Sequence, residues 1–416
     1  MTTETIAPSD LAILRDLARR VRDIAADPVM EERRQMWHRH NSLKGGRPMI
    51  LAETGGVLDE LVPVDSLECT GERARGIERG LRNTIFMHEH VNDDSVIEPY
   101  IGCNWQVRIS DYGVQSEKQH GDNAGRLASY RWDPAIKDLD ADFDKLRPRT
   151  CNVDREATER THAMLEEIFD GILPVRRRGS HWWTMGLTWS AIDLIGLEGL
   201  MMAMYDNPDG LHRLMAFLRD DHIGVIEWFE AEGLLNLNNE NDYVGSGSQG
   251  YTDELPQAGF EGTARLKDLW GLSESQETVG VSPQMFAEFI FPYQLPVIER
   301  FGLSYYGCCE PVHARWETIK RIPNLRKVSV SPWCDQHLMA QACGDRFIFC
   351  RKPNPEIVSK QCFDEAAIRN DISTTLDVAK GCHIELVMKD VHTVADKPER
   401  LGRWVQIARE EIEKQN

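Results

Sequence analysis

LSYYGCCEPVHARWETIKRIPNLRKVSVSPWCDQHLMAQACGDRFIFC, residues 303–350, decides how this chain folds. Three short apolar runs, at 303–308, 325–331 and 346–350, alternate with helix-length segments at 312–321 and 335–343. Strands separated by helices return in the same direction, so the stretch predicts parallel strands with crossover helices. The alternation continues downstream through a helix at 364–379, a strand at 383–388 and a final helix at 397–413. Upstream it runs back through a helix at 283–300 and a strand at 234–238 to a helix at 208–232, which Asp206-Asn-Pro-Asp-Gly210 opens and Gly233 ends. Before these lie a helix at 190–204, an apolar stretch at Ile172–Val175 and a helix at 154–170. A doubly wound open sheet alternates in the same way, but no G-x-G-x-x-G or G-x-x-x-x-G-K-[ST] phosphate loop occurs. The expected fold class is therefore α/β, a closed (β/α)8 TIM barrel.

The amino-terminal third reads differently. Leu11, Leu14, Leu17, Val21 and Ile24 recur at helical spacing, and residues 10–43 predict two surface helices. Pro48–Ala52 predicts the first buried strand, and the Gly-, Asp- and Asn-rich stretch from about 55 to 150 a long elaborated loop region. The expected organisation is a helical extension over 1–45 and one barrel over 46–416.

Composition excludes several classes. The net charge of −19 over 416 residues, with no basic run longer than Arg176-Arg177-Arg178, argues against a nucleic-acid partner. No apolar stretch reaches the roughly 18 to 20 residues that span a bilayer, and the opening MTTETIAPSD lacks a signal-peptide core. A cytoplasmic location follows as the expectation, with the ten cysteines reduced.

In a barrel, chemistry sits just past the carboxyl ends of the strands. There the sequence places Asn239, Glu240 and Asp242; Cys308, Cys309 and Glu310; Cys334; and Lys389, Asp390 and His392. Thiolates and an imidazole converging on one rim suit Zn2+ with an open position, and the expected ligands are Cys309, Cys334 and His392, with Cys308 and Cys382 as alternatives. Cys308 and Cys309 would point to opposite sides of an extended chain, so only one faces the rim. Glu240, Asp242, Glu310 and Asp390 are the expected proton-handling residues. Trp182, Trp183, Asn239 and Tyr251 are the expected substrate-binding residues, with Tyr251–Glu254, which follows the Gly-rich loop 245–250, forming a lid.

From about 175 to 410 the sequence resembles the uroporphyrinogen decarboxylase superfamily, nearer its cobalamin-dependent methyltransferase and cobalamin-independent methionine synthase branches. The likeness lies in Asn207-Pro208-Asp209 with His212 and Leu214, in Gly233 before a strand ending in acids, in Tyr306-Gly-Cys-Cys-Glu-Pro311, and in His392 followed by Lys397-Pro398-Glu399-Arg400-Leu401. The resemblance implies a zinc-dependent methyltransferase that moves a methyl group from a small methylated substrate, such as a methyl ether or methylamine, to a corrinoid carried by a partner protein. It also implies a possible homodimer. Gly307 stands where that branch has a zinc-binding histidine, and Cys334 is placed to compensate. The decarboxylase branch grips its substrate with an arginine-rich motif at the first strand, where this chain has Ala52-Glu53-Thr54-Gly55.

Rival readings are a metal-independent decarboxylase, a metal-dependent amidohydrolase-like hydrolase using His88 and His90 after a weak strand at 84–87, and a non-catalytic barrel that docks a corrinoid or tetrapyrrole protein.

Overall fold

The computed structural model describes residues 6–120 and 130–415. The first residues of the opening stretch and 121–129 of the long loop region lie outside them.

Six parallel strands form the central sheet: β1 (Met49–Ala52), β2 (Trp270–Ser273), β3 (Leu303–Tyr306), β4 (Leu325–Val330), β5 (Ile348–Arg351) and β6 (His383–Met388). Their spatial order is β1-β6-β5-β4-β3-β2, and in register Met49 lies opposite Glu385 and Lys327 opposite Ile348. Nearly every strand residue is buried, as expected when both faces of a parallel sheet are covered. Ile50, Tyr306, Val328, Phe349 and Leu386 pack under the crossover helices. Leu51, Leu272, Tyr305, Cys350 and Val387 belong to a second core, on the other face. The crossover helices begin where the sequence placed them, because Asp335, Asp364, Ser282 and Asn207 each accept a first-turn amide.

The two amino-terminal helices, α1 (Pro8–Ala25) and α2 (Pro28–Asn41), form as expected. They share the second core: Leu14, Leu17 and Trp37 pack with Leu51, Tyr305 and Val387. Trp37 lies under the Lys327 ammonium, 5.5 Å from its ring centre, so α2 covers the concave face near the amino ends of the strands.

The expected closed ring of eight strands is corrected. Among the described residues the sheet is open between β1 and β2. Side chains line its edges there. Asp94 and Asp93 accept the amides of Ile50 and Ala52, and the Asn238 amide group exchanges hydrogen bonds with both backbone groups of Trp270. A short parallel pair, Ile101–Gly102 with Val175–Arg176, lies between them, tied on by Asn236 to Asn104. Asn and Asp side chains compete with ladder bonds. That is why Leu234–Asn238, read as a strand, runs irregularly. Conversely, β2 at 270–273 was not anticipated, nor was α3 (Glu72–Phe86) inside the loop region. No helix of the described residues is long and apolar enough to cross a membrane.

Tyr243–Val244 pairs with Ser248–Gln249 in a tight hairpin whose turn projects into the concave face of the sheet. Gly245 has φ +66° and rests on the Tyr305 ring, where a Cβ would overlap the ring. Gly247, at φ +98°, has room for no Cβ between Glu53 and Val387. Ser246, Ser248, Tyr251 and Thr252 are all buried.

Candidate active site

Side chains alternate along a strand, so the inner-face residues Leu51, Leu272, Cys350 and Val387 put the residues two further on over the same face. These are Glu53, Glu274, Lys352 and Lys389, a row of ionisable side chains at the carboxyl ends of β1, β2, β5 and β6. On β3 the left-handed Gly307, φ +94°, turns the chain after Tyr306 and brings Cys308 inward. The Cys308 carbonyl accepts from Ser329 Oγ at 2.6 Å and its amide donates to Glu310 Oε2 at 2.8 Å.

The hairpin turn supplies the next contact. Ser246 Oγ lies 3.3 Å from Cys308 Sγ and accepts from Lys389 Nζ at 2.8 Å. Cys309 Sγ stands 3.5 Å from Cys308 Sγ and 3.8 Å from Asp390 Oδ2. Tyr243 donates to Glu53 Oε1 at 2.8 Å. The Cys309 thiol, donating toward Cys308, pulls the Cys308 thiol down to about 7; burial opposes this, while the Lys389 charge and the Ser246 hydroxyl assist. The same contact pushes Cys309 up. Burial pulls Lys389 down, but the negative charge of Glu53, Cys308 and Asp390 prevails and holds the ammonium above its ordinary value. Burial raises Glu53, against the pull of Lys389.

Beside this centre lie two fully buried acids. Burial, then Glu277 and Glu310, raise Glu274 well above the carboxylate range. Burial also raises Glu310, although the amides of Ser275 and Cys308 both donate to it. Burial thus favours the protonated form of both Glu274 and Glu310, and of Glu274 the more strongly.

Below the hairpin the concave face is polar and closed. Lys327 Nζ donates to Ser248 Oγ at 2.6 Å and to Glu385 Oε1 at 2.9 Å, and His40 Nε2 lies 3.3 Å from the same carboxylate. Lys352 Nζ donates to the Tyr305 hydroxyl.

The expected metal ligands lie in different surroundings. Cys309 is at the rim. Cys334 is buried in the helix-side core, with Ser331 donating to its sulfur at 3.7 Å and the Glu310 carbonyl 3.8 Å away. His392 is exposed beyond β6, where its ring adjoins Gly56. Cys382 precedes β6, at the amino end, with its thiol on the Ala340 carbonyl. Among the described residues no group of three or more His, Cys, Asp or Glu side chains is arranged to hold a metal ion. Cys309, Cys334 and His392 are thus not gathered into such a group among the described residues.

The remaining expected residues divide. Glu310 and Asp390 belong to the centre. Asp242 and Glu240 are engaged by Arg178, at 2.5 and 3.2 Å, and Tyr100 donates to Glu240 at 3.1 Å. Asn239 donates to the Leu255 carbonyl. Tyr251 is buried against α2 and donates to Glu98. Trp182 packs on Phe229 and Phe301, and Trp183 is exposed. His88 and His90 stand on a helical turn that continues α3, since Thr84–Phe86 is helix rather than strand, and this removes the amidohydrolase arrangement. Ser246, Lys389, Glu53 and Glu274 went unassigned from sequence, although the two-residue parity past the first and last strands carried the signal for Glu53 and Lys389.

No family model matches this sequence, and no curated protein matches it. Among solved structures, the chain is similar to a methyltransferase from Methanosarcina mazei, at 10% sequence identity and a TM-score of 0.47, over 89% of this chain and 96% of that one. So distant a likeness says nothing of chemistry.

Proposed function

We propose that this chain is an enzyme of methyl-group transfer centred on Cys308, moving the methyl group of a small methylated substrate, a methyl ether or methylamine, to a corrinoid carried by a partner protein. The observation that supports this reading is the Cys308 thiol, drawn toward thiolate beside Ser246 and Lys389 where parallel strands end. The sequence likeness at Tyr306–Pro311 agrees with it. The thiolate attacks the methyl carbon, the carbon–sulfur bond forms as the carbon–oxygen or carbon–nitrogen bond breaks, and a buried acid such as Glu274 gives its proton to the leaving atom; the reduced corrinoid, as acceptor substrate, then takes the methyl carbon as the carbon–sulfur bond breaks and the Cys308 thiolate is restored.

The test incubates the protein with isotopically labelled methyl donors, a reduced corrinoid protein and Cys308→Ser as the comparison. The expected result is labelled methyl-corrinoid from at least one donor class with wild type and a loss of at least about 100-fold in the variant. Equal rates in the two proteins, or no transfer from methoxyarenes, methylamines, methylthiols or methanol, would overturn the proposal.

A further inference from the structure

Cys308 and Cys309 are sequence neighbours, and in an extended chain their side chains would point apart. Here both face the same side, with their sulfurs 3.5 Å apart. The cause is local: the left-handed Gly307 and the irregular backbone of 307–310 free this segment from strand alternation. Asp390 Oδ2, 3.8 Å from Cys309 Sγ, is a proton acceptor for the second thiol, and Ser246 fixes the first. We propose that this pair is a modification site, a dithiol that peroxide converts reversibly into a disulfide between adjacent residues.

The Cys308 sulfur attacks one oxygen of hydrogen peroxide. The sulfur–oxygen bond forms, the oxygen–oxygen bond breaks, and the departing hydroxide takes up the Cys308 proton as water. Cys309 then passes its proton to Asp390 and attacks the Cys308 sulfur. The sulfur–sulfur bond forms, the sulfur–oxygen bond breaks, and hydroxide leaves to recover that proton as a second water. Two thiols are oxidised and one peroxide is reduced. Adjacent Cα atoms stand only about 3.8 Å apart, against the roughly 4.4 to 6.8 Å usual across a disulfide, so the bond is strained. Strained disulfides are reduced readily, which suits this one to a switch and not to a staple.

The chemistry of the pair is independent of methyl transfer; only its effect on turnover rests on that reading. The test treats the full chain with equimolar peroxide, blocks free thiols with iodoacetamide and digests with trypsin. The fragment Phe301–Arg315 holds these two cysteines and no other. Expected are a fragment lighter by two hydrogens and without alkylation, its return to two alkylated thiols after glutathione, and sulfenic acid trapped by dimedone in Cys309→Ser only. A wild-type fragment that gains oxygen without losing the two hydrogens would refute the site, and this readout needs no variant to fold. Equal dimedone labelling of wild type and Cys309→Ser would refute it as well. The mass change without methyl transfer in any assay would remove the function proposed above and leave the dithiol standing.

Discussion

Lys389, the first residue past the last strand, donates to the hydroxyl of Ser246 at 2.8 Å, and that hydroxyl in turn faces the Cys308 sulfur at 3.3 Å. One buried ammonium thus holds the hairpin turn against the sheet and lends the thiol its charge.

Replacing that ammonium separates the two effects. In Lys389→Met the Cys308 thiol, held down to about 7 in the native chain, loses a neighbouring cation, so the midpoint of its alkylation by iodoacetamide is expected to lie about one pH unit or more above that of the wild type. Alkylation rates measured between pH 5 and pH 10 on the fragment Phe301–Arg315 read this directly. An unchanged midpoint would mean that Lys389 does not tune the thiol.

Stability is expected to fall in acid on account of His40. Burial holds its imidazole below the ordinary 6.5, in spite of Glu385 beside it. Between the lowered folded value and 6.5 the unfolded chain takes up a proton that the native chain refuses, so unfolding gains as pH drops below about 6.5. Glu385, held below its ordinary 4.5 with burial opposed by Lys327 and His40, adds a second loss of the same sign once pH falls below 4.5. Urea denaturation at steps from pH 7.5 to pH 5 should show a declining midpoint. The slope between pH 6.5 and pH 5 should flatten in His40→Gln.

Lys327→Met leaves Glu385 buried beside a missing partner and is expected to cost about 3 to 5 kcal/mol. Adding Glu385→Leu should recover a large part of that loss, because the stranded charge goes with it. Denaturant midpoints of the single and double variants decide the matter; an additive loss would show the pair to be uncoupled.

Gly245→Ala meets both a left-handed backbone and the Tyr305 ring, so it is expected to cost about 2 to 5 kcal/mol. Gly233, with φ +67° and nothing within 4 Å of its Cβ position, provides the control. Gly233→Ala should cost only about 1 to 2 kcal/mol. Equal midpoint shifts for the two variants would remove the claim that the turn is wedged on Tyr305.

If zinc is found in the purified protein, its amount should be the same in Cys334→Ala and His392→Ala as in wild type, because Cys334 is packed in the helix-side core and His392 is exposed to solvent. Elemental analysis of the three proteins checks this, and metal lost in either variant would restore the ligand set expected from sequence.

The alternation at 303–350 was legible because β3, β4 and β5 are short buried runs bounded by capped helices. The sector from 55 to 250 was not, for a physical reason: Asp93, Asp94, Asn236 and Asn238 bond edges with side chains, and hydrophobic period says nothing about such bonds. Trp270–Ser273 was missed because four residues after a Gly-rich stretch carry too little pattern. At the site, Cys309 was preferred to Cys308 on the assumption of an extended chain, and Gly307 breaks that assumption. Cys334 and His392 fell at strand ends in sequence, yet one faces the helices and the other solvent. Proximity to a strand end does not fix the face; parity with the inner-face residues does, as Leu51 with Glu53 and Val387 with Lys389 show.

The hairpin at 243–249 has a further consequence. Its turn occupies the inner face of the sheet beside the Cys308 sulfur, so the surroundings of that sulfur are set in part by a few residues that belong to no strand of the sheet. Lengthening, trimming or recolouring that turn would alter what fits beside the sulfur while every main-chain ladder beneath it stayed as it is.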